Sequence, residues 1–306
     1  MKKQFDIAII GAGPAGLTAA LYAARANLSV AIFEKGLPGG QINSTAIVEN
    51  YPSQIDIAGM DLAEKLYEQV ENQTNVTFIF EEIIRFNKVQ DLFILKTESA
   101  AYQSNTAIIA TGSDPKTLHV TGSDTFESKG ISYCAVCDGN FFENESVIVV
   151  GGGDSAIEEA AYLANIVKDV TILVRKDHLR AQPMLIEQLK KHSNVSIRYN
   201  TEIQAFKGDT SLTHVTVQTN NGSHYDLPAK GTFIYIGHTP HSKLFQHLQI
   251  SDENGWIETT EKMETTVSGL YAVGDIRKKD FKQIVTATSD GAIAAKEAYH
   301  YIESRR

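Results

Sequence analysis

Phe5 to Ile10 is apolar except for Asp6, the pattern of a strand buried on both faces. Gly11-Ala12-Gly13-Pro14-Ala15-Gly16 interrupts it, and Leu17, Ala20, Leu21 and Ala24 then recur at helical spacing. Leu28 to Phe33 is a second apolar run, ending at Glu34-Lys35. The next stretch, Gly36-Leu37-Pro38-Gly39-Gly40-Gln41, is too rich in glycine for regular structure. A helical pattern spans Gly59 to Asn72. Strand-like runs follow at Val76 to Phe86, Leu92 to Thr97 and Ala101 to Ile109, with no helix between them. That grouping predicts an antiparallel addition to the first sheet. The last run leads into Ala110-Thr111-Gly112, then Pro115.

The pattern then repeats. Val147 to Val150 is a strand, Gly151-Gly152-Gly153-Asp154-Ser155-Ala156 a turn, Ile157 to Asn165 a helix and Val170 to Val174 a strand. Phe233-Ile234-Tyr235-Ile236-Gly237, with Pro240 beyond, echoes the end of the first unit. The run Gly269 to Asp275 is a further strand that a closed second unit cannot use, so it is expected to return to the first sheet. A helix is predicted from Ile284 to about Glu303. The expected fold class is α/β: two Rossmann-like (three-layer ββα) domains, the second inserted into the first. The expected boundaries are 1–114, 115–243 and 244–306.

Strand, glycine turn, helix, strand and terminal acid in that order form a dinucleotide fingerprint. Glycine lets the backbone approach a pyrophosphate, which also meets the positive end of the helix. Glu34 stands 23 residues after Gly11, placed to accept hydrogen bonds from both hydroxyls of an adenosine ribose. A carboxylate there repels a 2′-phosphate, so the first site suits FAD or NAD. The glycine-rich loop is either a flexible connector or backbone lying against a flat ring, with Gln41 and Asn50 supplying hydrogen bonds. The second copy ends in Arg175-Lys176, with Arg180 beyond. Cations cannot accept from a ribose diol but pair with a 2′-phosphate, so this copy suits NADPH; the alternative is a solvated basic turn. Asp275, at a strand end, suits polyol hydroxyls or helix capping. The helix start near Lys282 and Gln283 suits negative charge on a reduced flavin.

Composition narrows the class. The 306 residues carry a net charge of −9, which argues against a general nucleic-acid binder. Lys2-Lys3 before an apolar run imitates a signal peptide, but Asp6 and the glycine turn favour strand–turn–helix. No apolar run is long enough to cross a bilayer, and a cytoplasmic location is expected. The chain has two cysteines, Cys134 and Cys137, followed at once by Asp138-Gly139. A zinc half-site needs two further ligands of similar spacing, and no histidine lies within thirteen residues on either side. A structural thiol pair is a second reading. A redox dithiol fits best, one thiolate being stabilised by its neighbour and a helix start. Asp138 is then a proton shuttle or a plain capping acid.

These motifs, in this order and over essentially the whole chain, resemble the bacterial low-molecular-weight thioredoxin reductases. The resemblance implies a homodimeric flavoprotein that carries FAD, is reduced by NADPH and passes electrons through Cys134–Cys137 to thioredoxin. It also implies that the NADPH domain rotates against the FAD domain, with Cys137 facing the flavin and Cys134 attacking the substrate disulfide. The implied FAD residues are Gly11, Gly13, Pro14, Ala15, Glu34, Lys35, Gly39, Gly40, Gln41, Asn50, Ala110, Thr111, Gly112, Asp275, Lys282, Gln283 and Ile284. Those implied for NADPH are Gly151, Gly153, Asp154, Ser155, Arg175, Lys176 and Arg180. The implied catalytic set is Cys134, Cys137 and Asp138, with no metal. Val174 and Lys176 replace a His and an Arg of the family's basic motif, which weakens 2′-phosphate recognition. Lys282 replaces Arg, and Ser289 stands at a position usually glycine. Two alternatives share the motifs: a related flavin disulfide reductase with another partner or electron donor, and a non-enzymatic flavin redox sensor.

Overall fold

The computed structural model describes all residues except 1, 2, 46 and 49; Lys2 of the amino-terminal run lies outside the described residues. The chain forms two compact units, one from Met1–Asp114 with Thr239–Arg306 and the other Pro115–His238.

In the first unit, strand Lys3–Ile10 lies between Val30–Phe33 and Ala101–Ile109, parallel to both. Side chains alternate across a strand, and both faces are covered. Ile7, Ile9, Val30 and Ile32 pack under helices Pro14–Arg25 and Ile284–Glu303. Ala8, Ile10, Ala31 and Phe33 face a layer holding Phe86, Phe93 and Phe245. Double coverage explains why these strands read as continuous apolar runs rather than alternating ones.

Ala101–Ile109 has two partners on its other edge. Leu92–Lys96 pairs antiparallel with its first half, and Leu270–Ala272 pairs parallel with its second. The chain thus returns to the first sheet after the second unit, as the pattern predicted. The expected strand Val76 to Phe86 is corrected. Val76–Ile79 pairs parallel with Val30–Phe33, and a separate strand, Arg85–Val89, pairs antiparallel with Leu92–Lys96. Glu81 and Glu82 interrupt the apolar run, and Glu81 leaves the ladder to accept hydrogen bonds from the Ser99 hydroxyl at 2.7 and 2.8 Å. The antiparallel addition therefore comprises Arg85–Val89 and Leu92–Lys96, joined to Ala101–Ile109.

The second unit repeats the three layers. Its parallel sheet runs Ile131–Ser132, Gly231–Ile234, Ser146–Val150, Asp169–Val174, Val195–Tyr199. Val147, Val149, Ile172 and Phe233 pack on helix Asp154–Leu163 through Ile157, Ala160 and Leu163. Ile148, Val150 and Leu173 face the antiparallel sheet through Phe206, Val215 and Val217.

Candidate active site

Each glycine turn is enforced by close backbone approach. Gly11 has φ 105°, and a Cβ on it would lie 2.4 Å from the Ala110 carbonyl oxygen. Gly151 has φ 146°, and its Cβ would lie 2.4 Å from the Tyr235 carbonyl oxygen. The helices beyond these turns begin at Gly13 and Gly153, neither of which supplies a side-chain cap. A Cβ on Gly153 would meet nothing within 4 Å, and one on Gly13 only the Gly40 Cα at 4.0 Å. Chain packing does not demand glycine at these two positions. Bare helix starts facing open space are what an approaching anion requires.

In the first unit, Glu34 comes directly after the second strand, and its carboxylate accepts the Ala12 N–H (2.8 Å) and the Gly36 N–H (2.8 Å). It therefore ties the glycine turn to the adjoining loop and keeps lone pairs for a further donor. Lys35 points away, 3.7 Å from Glu82. Gly39 donates its N–H to the Ala12 carbonyl (2.7 Å), and Gly40 packs against Gly13. Gln41 donates to the Ser113 carbonyl, Asn50 donates to Gln283 (3.0 Å), and Thr111 donates to the His241 carbonyl (3.0 Å). Gln283 caps the last helix by a reciprocal bond with Thr286, leaving Ile284 as its first residue.

The other end of this region is charged and buried. Asp290 accepts from the Gly274 N–H (3.0 Å), Arg277 (2.9 Å) and Lys279 (3.0 Å). Asp275 Oδ1 is buried without a hydrogen bond, and the Lys279 ammonium stands 3.7 Å away. Burial raises the Asp275 carboxyl above its ordinary range. A buried oxygen in want of a donor fits a ligand hydroxyl. Lys282 lies 3.7 Å from the centroid of the Trp256 ring, and burial lowers its pKa.

In the second unit, the Arg180 N–H donates to the Gly152 carbonyl (2.6 Å), and a Cβ on Gly152 would press on Val174. Arg175, Lys176 and Arg180 are exposed around this turn; the Arg175 Nε lies 4.0 Å from Glu202. Both Asp154 oxygens accept from Gln182, at 2.8 and 2.9 Å, which lowers its pKa. Ser155 is exposed on the first turn of the helix.

The dithiol belongs to this unit. Cys134 and Cys137 form a disulfide across a short helix, Ala135–Asp138, and the Cys134 Sγ accepts the Cys137 N–H at 3.2 Å. Three neighbours carry no local sequence signal. The buried Ser132 hydroxyl donates to Asp138 Oδ2 (2.6 Å) and accepts the Cys134 N–H (3.1 Å). Tyr235 accepts the Ala135 N–H (2.6 Å), and the Glu159 carboxyl acts on Tyr235 electrostatically. Of these, Tyr235 stood inside a run that suggested only a strand.

Two dinucleotide-type turns and a three-residue disulfide define the class, an oxidoreductase that works on disulfides. The pyridine nucleotide-disulphide oxidoreductase family matches residues 5–291, and the chain belongs to it. It is 42% identical over 304 residues to the thioredoxin reductase of Bacillus subtilis (strain 168), covering 99% of this chain and 96% of that protein. The thioredoxin reductase of Listeria innocua serovar 6a is also 42% identical over 304 residues, covering 99% of this chain and 95% of the relative. The crystal structure of thioredoxin reductase from Streptococcus pyogenes MGAS5005 superposes with a TM-score of 0.93 at 44% identity, covering 99% and 100% of the two chains.

Proposed function

We propose that this chain is a thioredoxin reductase, moving electrons from NADPH to the Cys134–Cys137 disulfide and on to oxidised thioredoxin. The observation that carries the reading is the disulfide, with an acid held beside it by Ser132, in the unit whose glycine turn is ringed by cations. FAD supplies a two-electron relay between nicotinamide and disulfide. Gly11, Gly13, Pro14, Ala15, Ala110, Gly112 and Glu34 hold its dinucleotide end. Gly39, Gly40, Gln41, Asn50 and Thr111 line its ring, with Lys282, Gln283 and Ile284. The orphaned Asp275 oxygen takes a hydroxyl of its polyol chain. Gly151, Gly153 and Ser155 hold the NADPH pyrophosphate, while Arg175, Lys176 and Arg180 hold its 2′-phosphate. Asp154 fixes Gln182 beside the turn.

Two electrons and two protons reduce the disulfide to a thiol and a thiolate, the second proton being held on a neighbouring carboxyl. Cys134, as thiolate, attacks one sulfur of the partner's disulfide, breaking that bond and expelling the partner's other sulfur, to which Asp138 gives a proton. Cys137 then attacks Cys134, restoring the enzyme disulfide and releasing the partner's second thiol. Cys134→Ser is expected to abolish thioredoxin turnover in a steady-state assay while NADPH still bleaches the yellow protein anaerobically. Turnover retained in that variant removes the dithiol from the route.

The same reading takes the protein as a cytoplasmic homodimer. Among the described residues, no helix is long and apolar enough to cross a membrane. Tyr22 and Val285 are exposed beside a groove of about 370 Å³ between the first and last helices of the first unit, a face suited to a second copy. Size-exclusion chromatography is expected to give a dimer.

A further inference from the structure

Glu159 takes no part in the electron route, yet it sits behind the redox turn. One carboxyl oxygen, Oε2, is buried with no hydrogen-bond partner. Its carboxyl also lies near enough to Tyr235 for each to act on the other's proton, and the Tyr235 hydroxyl accepts the N–H of Ala135, the residue after Cys134. Helix Asp154–Leu163, which carries Glu159, packs on the same turn: a Cβ on Gly139 would lie 3.1 Å from Leu163. The titratable groups acting on this pair are Glu158 on Glu159, and Glu159 and Asp138 on Tyr235. None of them is a cation. Burial, with Glu158 adding to it, pushes the Glu159 carboxyl up to about 7, and burial raises Tyr235 well above its ordinary value.

We propose that Glu159 and Tyr235 are positioning residues that store a proton beneath the dithiol: reduction of Cys134–Cys137 is coupled, across the Tyr235–Ala135 hydrogen bond, to protonation of Glu159. The inference rests on the redox reading of the dithiol. The step balances. Disulfide, two electrons and one proton give one thiol and one thiolate, and the second proton goes to the Glu159 carboxylate instead of the second sulfur. When the electrons leave for a partner disulfide, the thiol proton and the Glu159 proton together supply the partner's two thiols, Asp138 relaying one of them. The cause is electrostatic. A thiolate appearing at the turn adds negative charge near a carboxyl whose Oε2 is buried without a hydrogen bond, so the carboxyl binds its proton more tightly.

The consequence is a pH slope. Below about pH 7 Glu159 is protonated in both redox states and adds nothing. Above it, reduction takes up an extra proton, and the equilibrium constant for reduction falls by up to a further tenfold per pH unit, about 30 mV for a two-electron couple. The test is equilibration of the holoenzyme with a dithiothreitol redox buffer from pH 6 to 9, the free thiols being counted by alkylation and mass. Wild type is expected to show the extra slope above pH 7, and Glu159→Gln and Tyr235→Phe to lose it. Equal slopes in all three proteins overturn the proposal, even if the variants turn over more slowly. A second measurement needs no variant. The reduced-minus-oxidised infrared difference spectrum of wild type at pH 7.5 is expected to gain a protonated-carboxyl band, and its absence is equally fatal. Both readouts use a chemical reductant, so failure of NADPH to bleach the flavin would sink the electron route and leave this result standing on its own.

Discussion

At Gly11 and again at Gly151 the chain leaves a buried parallel strand through a positive-φ glycine, passes a bare helix start and returns by a second strand. The two backbones match, but the residues just past the second strand differ. After Phe33 comes Glu34, turned inward to bind Ala12 and Gly36. After Val174 come Arg175 and Lys176, exposed, with Arg180 anchored to Gly152 only through its backbone. One turn is closed by an acid that is part of its own scaffold; the other ends in exposed cations, of which Arg175 lies 4.0 Å from Glu202. The two turns thus share one backbone and differ in the charge just past the second strand, and the proposed function rests on that difference for which nucleotide each takes.

The third position of the turn offers the largest test of that comparison. A Cβ on Gly16 would sit 1.9 Å from the Gly11 carbonyl oxygen, whereas Ala156 occupies the corresponding place in the second turn. Gly16→Ala is expected to yield no flavin-loaded protein by absorbance, while Ala156→Gly keeps the colour and costs about 1 kcal/mol in denaturant unfolding. If Gly16→Ala purifies yellow, the two turns are more alike than their packing states.

Next comes charge. Charge-assisted hydrogen bonds contribute about 1.5–3 kcal/mol each, so Arg175→Ala combined with Lys176→Ala is expected to lower kcat/KM for NADPH by about 100-fold or more. NADH should be unaffected. A loss shared equally by both nucleotides would break the assignment of these cations to a 2′-phosphate.

A third expectation concerns the buried carboxyl of the second unit. Glu159 titrates near 7 in the folded chain, against an ordinary 4.5, so the folded state binds more protons between those values. Its contribution to stability is complete below about 4.5 and is lost as pH rises through 7. Glu159→Gln removes this dependence, so relative to wild type it should gain about 2–3 kcal/mol on going from pH 5 to pH 8. Parallel stability–pH curves for the two proteins would show that Glu159 is ionised without penalty. The smallest effect is expected from Lys176→Arg: a planar fork meets phosphate oxygens better than an ammonium does, and KM for NADPH should fall roughly two- to fivefold.

Much of this was legible along the chain because it is local. A glycine turn between an apolar strand and a helix is a short-range pattern, and a disulfide across three residues needs only its own turn. The break at Glu81-Glu82 is also on view, but the apolar run continues past it, and periodicity says nothing of which partner each half will choose. Asp154 shows the opposite limit. It stands in the fingerprint, yet its oxygens are taken by Gln182, 28 residues further on, and no spacing rule foretells such a bond. Ser132, Tyr235 and Glu159 come from a strand end, another strand end and the middle of a helix. They meet at the dithiol only because two parallel strands and one helix converge there.

The sequence by itself determined the repeated α/β architecture, the insertion of one sheet into the span of another, the difference in charge between the two turns and the location of the dithiol. Each comes from periodicity or from residue chemistry within a few positions. Tertiary structure alone decided what surrounds the reactive groups. It left an Asp275 oxygen without a hydrogen bond, placed Lys282 over Trp256, and set a carboxyl with a buried, unbonded oxygen behind Cys134–Cys137. The physical reason is that desolvation and hydrogen-bond satisfaction depend on every atom within a few ångströms, and those atoms come from segments distant in the chain.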